Sequence, residues 1–201
     1  AFVFFFAMLY PFRRSDDPES STAAAAGGVM LVRRAALDNI GGLHSIKSAL
    51  IDDCSLAHAI KLGGGGLSSS GRIELSLSND VQSLRLYPHI RDIWRMIART
   101  AFTQLRFSAW LLLGCVVGMS ILFLAPPLVP IMASFGASIF AFMAWIIMTI
   151  IYLPMVLFYR LPWYWAFSLP AAAVIYIAAT IDSARLFWRG KGGQWKGRAQ
   201  A

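Results

Sequence analysis

Two adjacent carboxylates, Asp52 and Asp53, open the run D-D-C-S-L-A from Asp52 to Ala57. Paired acids at the start of a helix lie beside the positive end of its dipole, a place where an ionised carboxylate is stabilised. An ionised carboxylate is also what a general base must be. Asp at such a position is equally the commonest helix cap, so the residue type alone leaves both uses open. Upstream stand G-G-V-M-L-V-R-R-A-A-L (Gly27 to Leu37) and I-G-G-L (Ile40 to Leu43). Adjacent glycines such as Gly27 and Gly28 let a backbone approach a ligand closely. His44, His58 and His89 are isolated, and Cys54 and Cys115 lie far apart in unlike surroundings. Neither set has metal-ligand or disulfide spacing.

The elements that must position these groups follow from pattern. Residues 1–12 are apolar and aromatic but too short to cross a bilayer, which needs about 20 residues; they suit a buried or membrane-surface segment. Arg13 to Thr22 reads as a loop around Asp17-Pro18. A short strand is expected over Val29 to Val32, then a helix from Arg33 to Ile40 closed by Gly41 and Gly42. A second helix starts at Ile51-Asp52-Asp53 and ends at Gly63, and a flexible glycine-serine loop follows to Gly71. Alternation predicts strands over Arg72 to Leu77 and Val81 to Leu86, with a turn at Ser78-Asn79-Asp80.

From Ile90 to Leu105, Ile90, Ile93, Trp94, Ile97, Ala98, Ala101, Phe102 and Leu105 share one helical face, and Arg91, Arg95 and Arg99 another. Such a helix, placed just before a hydrophobic region, is expected in the membrane interface; the alternative is a helix that buries this face in protein. Three apolar segments follow at about 109–133, interrupted by Pro126-Pro127, about 136–158 and about 162–182. Arg160 with Trp163, Tyr164 and Trp165 marks an interface between the last two.

The hydrophobic fraction of 58% exceeds the roughly 45–50% of ordinary soluble domains. From Ser108 to Ile181 the only charged residue is Arg160. The net charge of +8 gathers at the two flanks of the apolar region, which suits anionic headgroups. With no basic patch interleaved with aromatics and no recognisable module, a nucleic-acid partner is excluded. Both basic flanks, the one before Ser108 and the tail from Arg185 onward, belong on the cytoplasmic side, and that demands an even number of crossings. Three full spans would separate them.

The order of motifs resembles the second half of the catalytic domain of family 2 glycosyltransferases: a glycine before an R-R-x-A-L helix, a G-G turn, then an acidic pair. More narrowly, M-L-Y-P-F (Met8 to Phe12), A-A-A-A-G-G (Ala23 to Gly28), A-L-I-D-D-C (Ala49 to Cys54), D-I-W-R-M-I-A-R-T-A-F-T-Q-L-R-F (Asp92 to Phe107) and W-K-G-R-A-Q (Trp195 to Gln200) are similar to the hopanoid-biosynthesis-associated (hopene-associated) branch. The resemblance covers nearly the whole chain. One departure matters: the Q-x-x-R-W of processive synthases is replaced by Gln104-Leu105-Arg106-Phe107, one residue shorter, which weighs against processive synthesis.

The resemblance implies that Asp53 is the catalytic base, with Asp52 in the usual Glu position. It implies that Gly27, Gly28, Arg99, Gln104 and Arg106 lie near substrate. Trp195, Lys196 and Arg198 could fold back toward the site or anchor the tail to the membrane. It implies a nucleotide-sugar donor, a lipid acceptor of hopanoid type and a divalent metal (Mg or Mn), whose D-x-D ligands do not occur in this chain. The implied fold is α/β plus membrane helices: the C-terminal part of a GT-A-type domain over residues 1–89, an interfacial helix over 90–107, a transmembrane region over 108–183 and a basic tail over 184–201. Such a chain reads as the C-terminal part of a longer enzyme of the bacterial inner membrane, catalytic part cytoplasmic, inactive alone and with an exposed apolar face or sheet edge. The alternative is a non-catalytic membrane protein, a transporter subunit or scaffold. A transporter would be expected to carry ionisable residues or broken helices at mid-bilayer.

Overall fold

The computed structural model describes residues 1–63, 71–81, 87–132, 134–192, 194–195 and 198–199. They fall into two compact units, Phe2–Leu86 and a second that comprises Tyr87–Ala201 and Ala1.

The first unit begins with α1 (Phe2–Leu9), an all-apolar helix whose Phe6 ring meets those of Phe2, Tyr10 and Phe12. Pro11 then sets the start of α2 (Phe12–Asp16), where proline's missing N–H costs nothing, so part of the expected polar loop is helical. α3 (Arg34–Asn39) ends at Gly41 and Gly42, both at positive φ (81° and 72°), a backbone that only glycine adopts without strain. A 3-10 turn (Gly42–Ile46) leads toward α4 (Asp52–Gly63), which buries Cys54, Leu56, Ala57 and Ile60.

One charged side chain is buried with them. Lys61, 3% exposed, donates from Nζ to the carbonyls of Arg14 (3.2 Å), Ser15 (2.8 Å) and Thr22 (2.6 Å). Two of these acceptors lie in the last turn of α2, where carbonyls have no partner within the helix. An ammonium group with three donors meets three acceptors, so its desolvation is offset by charge-assisted hydrogen bonds.

The expected α/β architecture of GT-A type is not seen. Val29–Val32 pairs with no strand, and Val29 and Leu31 stand 60% and 100% exposed. Residues 71–78 are extended and alternate between half-covered and exposed side chains, as the sequence pattern does, yet no strand lies beside them among the described residues. Leu75 N–H instead donates to Asp16 Oδ1 at 2.7 Å. The alternation expresses one covered face, whereas a sheet also needs a second chain about 4.8 Å away to take up the backbone groups. Here a side chain supplies the partner. The strand expected over Val81 to Leu86 and the glycine-serine loop lie largely outside the described residues. The strands that are paired among the described residues are two residues each, β1 (Gln194–Trp195) antiparallel to β2 (Arg198–Ala199). The rest is helix and irregular chain.

In the second unit, α5 (Ile90–Gln104) packs along α9 (Leu169–Trp188). Ile97, Ala98 and Phe102 are buried on α5, so α9 covers the centre of its apolar face, while Arg91 and Arg95 stay exposed. Two polar contacts fix the pairing: Trp94 Nε1 donates to Asp182 Oδ2 at 3.0 Å, and Phe102 N–H to Ser183 Oγ at 3.0 Å. Phe102 centres an aromatic cluster with Phe107, Phe187 and Trp188. Leu112, Ala184, Leu105 and Val116 complete this core.

Among the described residues three helical stretches are long and apolar enough to cross a membrane: Ala109–Met132, Phe135–Phe158 and Trp163–Trp188. The first starts at Ser108, whose Oγ accepts from Leu111 N–H, and runs through α6 (Ala109–Met119), a π-helical turn (Ser120–Leu124) and α7 (Ala125–Met132). Pro126 and Pro127 do not interrupt it. Each proline removes an N–H and crowds the carbonyl four residues back, and the widened π turn over those carbonyls lets the helix continue. α8 (Phe135–Phe158) follows, and a 3-10 turn (Trp163–Ser168) leads into α9.

Replacing Lys61 by Met keeps the stem and removes the donors, leaving three carbonyls short of a partner. The expected cost is roughly 2–4 kcal/mol. Hydrogen exchange of the amides between Ser15 and Gly27 should quicken accordingly; unchanged protection there would show that the ammonium group holds nothing.

Candidate active site

Gly27 and Asp53 are 26 residues apart in sequence and in direct contact. Gly27 N–H donates to Asp53 Oδ2 at 2.9 Å. The second oxygen, Oδ1, accepts from Cys54 N–H at 2.7 Å. Asp52 Oδ1 in turn accepts from Asp53 N–H at 3.1 Å. Both acids therefore work as caps of the first turn of α4, whose leading N–H groups have no intrahelical partner.

The capping use does not exhaust Asp53. An ionised carboxylate offers about four lone-pair directions, and these two bonds occupy two. Among the described residues no Lys, Arg or His side chain lies within ion-pair distance of it; the ion pair found there joins Arg34 to the exposed Asp38. The side chain is half-buried, and Asp52 is exposed. Asp53 is thus oriented by two backbone donors, negatively charged, unpaired with a cation and reachable from water.

Gly27 is where it is for a steric reason. A Cβ at this position would stand 3.1 Å from Asp53 Oδ2 and 3.4 Å from its Cβ, so a side chain would press the carboxylate away. Gly28 meets nothing within 4 Å and forms, with Gly27, the turn that precedes Val29. Ala23 and Ala24 are buried, and Cys54 Sγ donates to Ala25 O at 3.7 Å. The segment therefore runs antiparallel to α4, with Thr22 at Lys61, Ala25 at Cys54 and Gly27 at Asp53. Sequence reasoning found the acid pair and the glycines but missed Lys61, which fixes the other end of this segment. A lone Lys at helical spacing from Ala57 (four residues) and Cys54 (seven residues), on an otherwise small and apolar face, was the available signal.

The other expected site residues belong to the second unit. Arg99 is half-buried in α5 and Gln104 is its last residue. Arg106 is exposed in a left-handed conformation (φ 51°) in the turn after α5. The structure brings Gly27, Asp52 and Asp53 together in the first unit; Arg99, Gln104 and Arg106 lie on and after α5 in the second. Lys196 lies outside the described residues.

Among the described residues no three His, Cys, Asp or Glu side chains gather to hold an ion, and both oxygens of Asp53 already accept backbone N–H groups.

The family model described as Glycosyl transferase family 21 matches residues 19–196. Neither the curated proteins nor the solved structures yield a match.

Cys54 reports on the site. Burial, and the negative charge of Asp53 beside it, push its thiol above the ordinary value of 9.0. Since the thiolate is the nucleophile, alkylation by iodoacetamide is expected to be slow at neutral pH and to rise only above pH 9. Replacing Asp53 by Asn removes the neighbouring charge and should shift that rise to lower pH. A rate profile insensitive to this substitution would contradict the contact.

Proposed function

We propose, for a chain that belongs to glycosyl transferase family 21, that Asp53 is the general base of sugar transfer to a lipid. The single observation that carries the proposal is the half-buried, cation-free carboxylate of Asp53, aimed by Gly27 N–H and Cys54 N–H. Membership of the family indicates glycosyltransferase activity, and the three apolar helices among the described residues are compatible with membrane association. The transporter or scaffold alternative has no corresponding support.

In the reaction proposed, the acceptor alcohol approaches Asp53. Its oxygen attacks the anomeric carbon of a nucleotide sugar as the bond from that carbon to the diphosphate oxygen breaks. The bonding pair leaves with the nucleoside diphosphate, and the hydroxyl proton passes to a free lone pair of the Asp53 carboxylate. Attack opposite the leaving group inverts the anomeric configuration. The two backbone donors, Gly27 N–H and Cys54 N–H, keep the Asp53 carboxylate in one orientation. Asp52, exposed one residue earlier, holds the first turn of α4 through its bond to Asp53 N–H.

The nucleotide-sugar donor, the lipid acceptor, its hopanoid character and the relation to family 2 rest on the motif resemblance. So do the assignments of Gly27, Gly28, Arg99, Gln104 and Arg106 to substrate binding, a bacterial inner-membrane location and a cytoplasmic catalytic side. An acceptor that stays in the bilayer is consistent with a chain that carries three membrane-length helices.

The decisive comparison uses membranes carrying the native enzyme and its Asp53→Asn variant, supplied with a panel of labelled nucleotide sugars. Label is expected in a lipid fraction with the native enzyme. The variant should transfer about 10²- to 10⁴-fold more slowly while inserting and melting normally. Near-native turnover by a properly inserted variant would remove Asp53 from the mechanism.

A further inference from the structure

The packing of the second unit bears on the orientation conflict, and it does so without reference to Asp53. Phe102 and Trp94 of α5 bond to Ser183 and Asp182 of α9, and the Phe107 ring stacks on Phe187 at 4.5 Å. Leu112, in the first turn of α6, packs with Ala184. The first apolar stretch therefore begins at the end of the bundle where α9 finishes.

The two run antiparallel. α9 extends only to Trp188, four residues past Ala184, yet it also packs against Ser120–Leu124, eight to twelve residues beyond Leu112. Those contacts can only fall on the N-terminal side of Ala184. At about 1.5 Å per residue, the 20 residues of α9 cover about 30 Å, the hydrocarbon thickness of a bilayer. The 3-10 turn Trp163–Ser168 that feeds α9 is thus on the far side, and so is the end of α7.

α8 lies between these two far-side points. It starts after two residues from α7 and ends four residues before the turn. A chain of that length reaches no more than about 17 Å, short of a bilayer's width. The main partners of α8 among the described residues are α7 and the same turn. Its surface is apolar on all sides, with Phe140 and Ile150 among its exposed residues, which suits lipid.

Charge follows the same division. At the near end stand Arg91 and Arg95 on α5, Arg106 after it, and Arg185, Arg189 and Lys191 at and beyond the end of α9, all exposed. Asp92 and Asp182 are the acids on these elements, and Asp182 is held by Trp94. The far end carries Arg160 and the belt Trp163, Tyr164, Trp165.

We propose that the near end is one basic collar seated on the anionic headgroups of a single leaflet. Ala109–Met132 and α9 make the two crossings, and Phe135–Phe158 stays within the opposite leaflet without a net crossing. By the positive-inside rule the collar faces the cytoplasm.

The test uses the full chain with Cys54 and Cys115 replaced by Ser and one cysteine introduced at a time: Arg91→Cys, Arg160→Cys or Lys191→Cys. Sealed vesicles of both orientations are treated with a membrane-impermeant maleimide, and detergent-opened vesicles show that each cysteine can react. Positions 91 and 191 are expected to label from one face and position 160 from the other. Labelling of 91 and 191 from opposite faces, or of all three from one, overturns the proposal. Should the cysteine-free background fail to insert, protease shaving of sealed vesicles holding the native chain decides the same point, because both basic flanks must be cut from one face. The headgroup partner is read from a fluorophore on the Lys191→Cys variant in vesicles of phosphatidylcholine with phosphatidylglycerol. Quenching by headgroup-labelled phosphatidylglycerol should exceed that by equally labelled phosphatidylcholine; equal quenching would refute an anionic partner.

Discussion

The backbone from Thr22 to Gly27 belongs to no helix or sheet, so its polar groups must find partners elsewhere or pay for burial. Two charged side chains of a single helix supply them. Lys61, near the C-terminal end of α4, takes the carbonyl of Thr22, and Asp53, at its N-terminal end, takes the N–H of Gly27. The sign of each charge matches its place. The cation also satisfies the last carbonyls of α2, and the anion sits at the positive end of the α4 dipole. Exchanging the two would leave each facing groups of its own polarity. The segment is held at both ends, and everything proposed for the site depends on that hold.

The second unit meets the same need at its helix ends, where the last carbonyls have no partner within the helix. Three of its helices stop in one way. After α5, Phe107 N–H returns to Phe102 O and Arg106 N–H to Thr103 O, with Arg106 left-handed. After α8, Leu161 and Arg160 make the same pair of bonds to Val156 and Leu157; after α9, Lys191 and Gly190 bond to Leu186 and Phe187. Each satisfies two orphan carbonyls, and the Phe102–Phe107 ring contact is the apolar clasp that accompanies this motif. Arginine in the left-handed position costs about 1–2 kcal/mol that glycine avoids. At Arg160 the strain places a charge at the end of the apolar helix α8.

How much of this was legible in sequence depended on whether the determining interaction was local. The helices starting at Asp52 and Ile90, the glycine stop at Gly41 and Gly42, and three apolar stretches are written in spacing of 3.6 residues, in φ-permissive glycines and in hydropathy, and they stand where expected. The strands were not legible in this way. Alternation at Arg72 to Leu77 correctly marks one covered face, but pairing is a property of a second chain segment that no local pattern reveals. The acid pair and glycines were visible as residue types. Their contact across 26 residues, and Lys61 as the far anchor, were not, because Lys on a helix face ordinarily reads as solvated.

The two uses of Asp53, cap and base, are compatible only because of what binds it. A carboxylate engaged by a guanidinium or ammonium group loses proton affinity to a full charge held close by. Asp53 is oriented instead by the backbone N–H groups of Gly27 and Cys54, with no cation within ion-pair distance among the described residues. Gly27 adds a second requirement, since a Cβ there would stand 3.1 Å from Oδ2, a tight contact that the carboxylate could relieve only by shifting. The glycine before the R-R-A-A-L helix and the acid that opens α4 are thus one device, separated in sequence but defined by a single 2.9 Å bond.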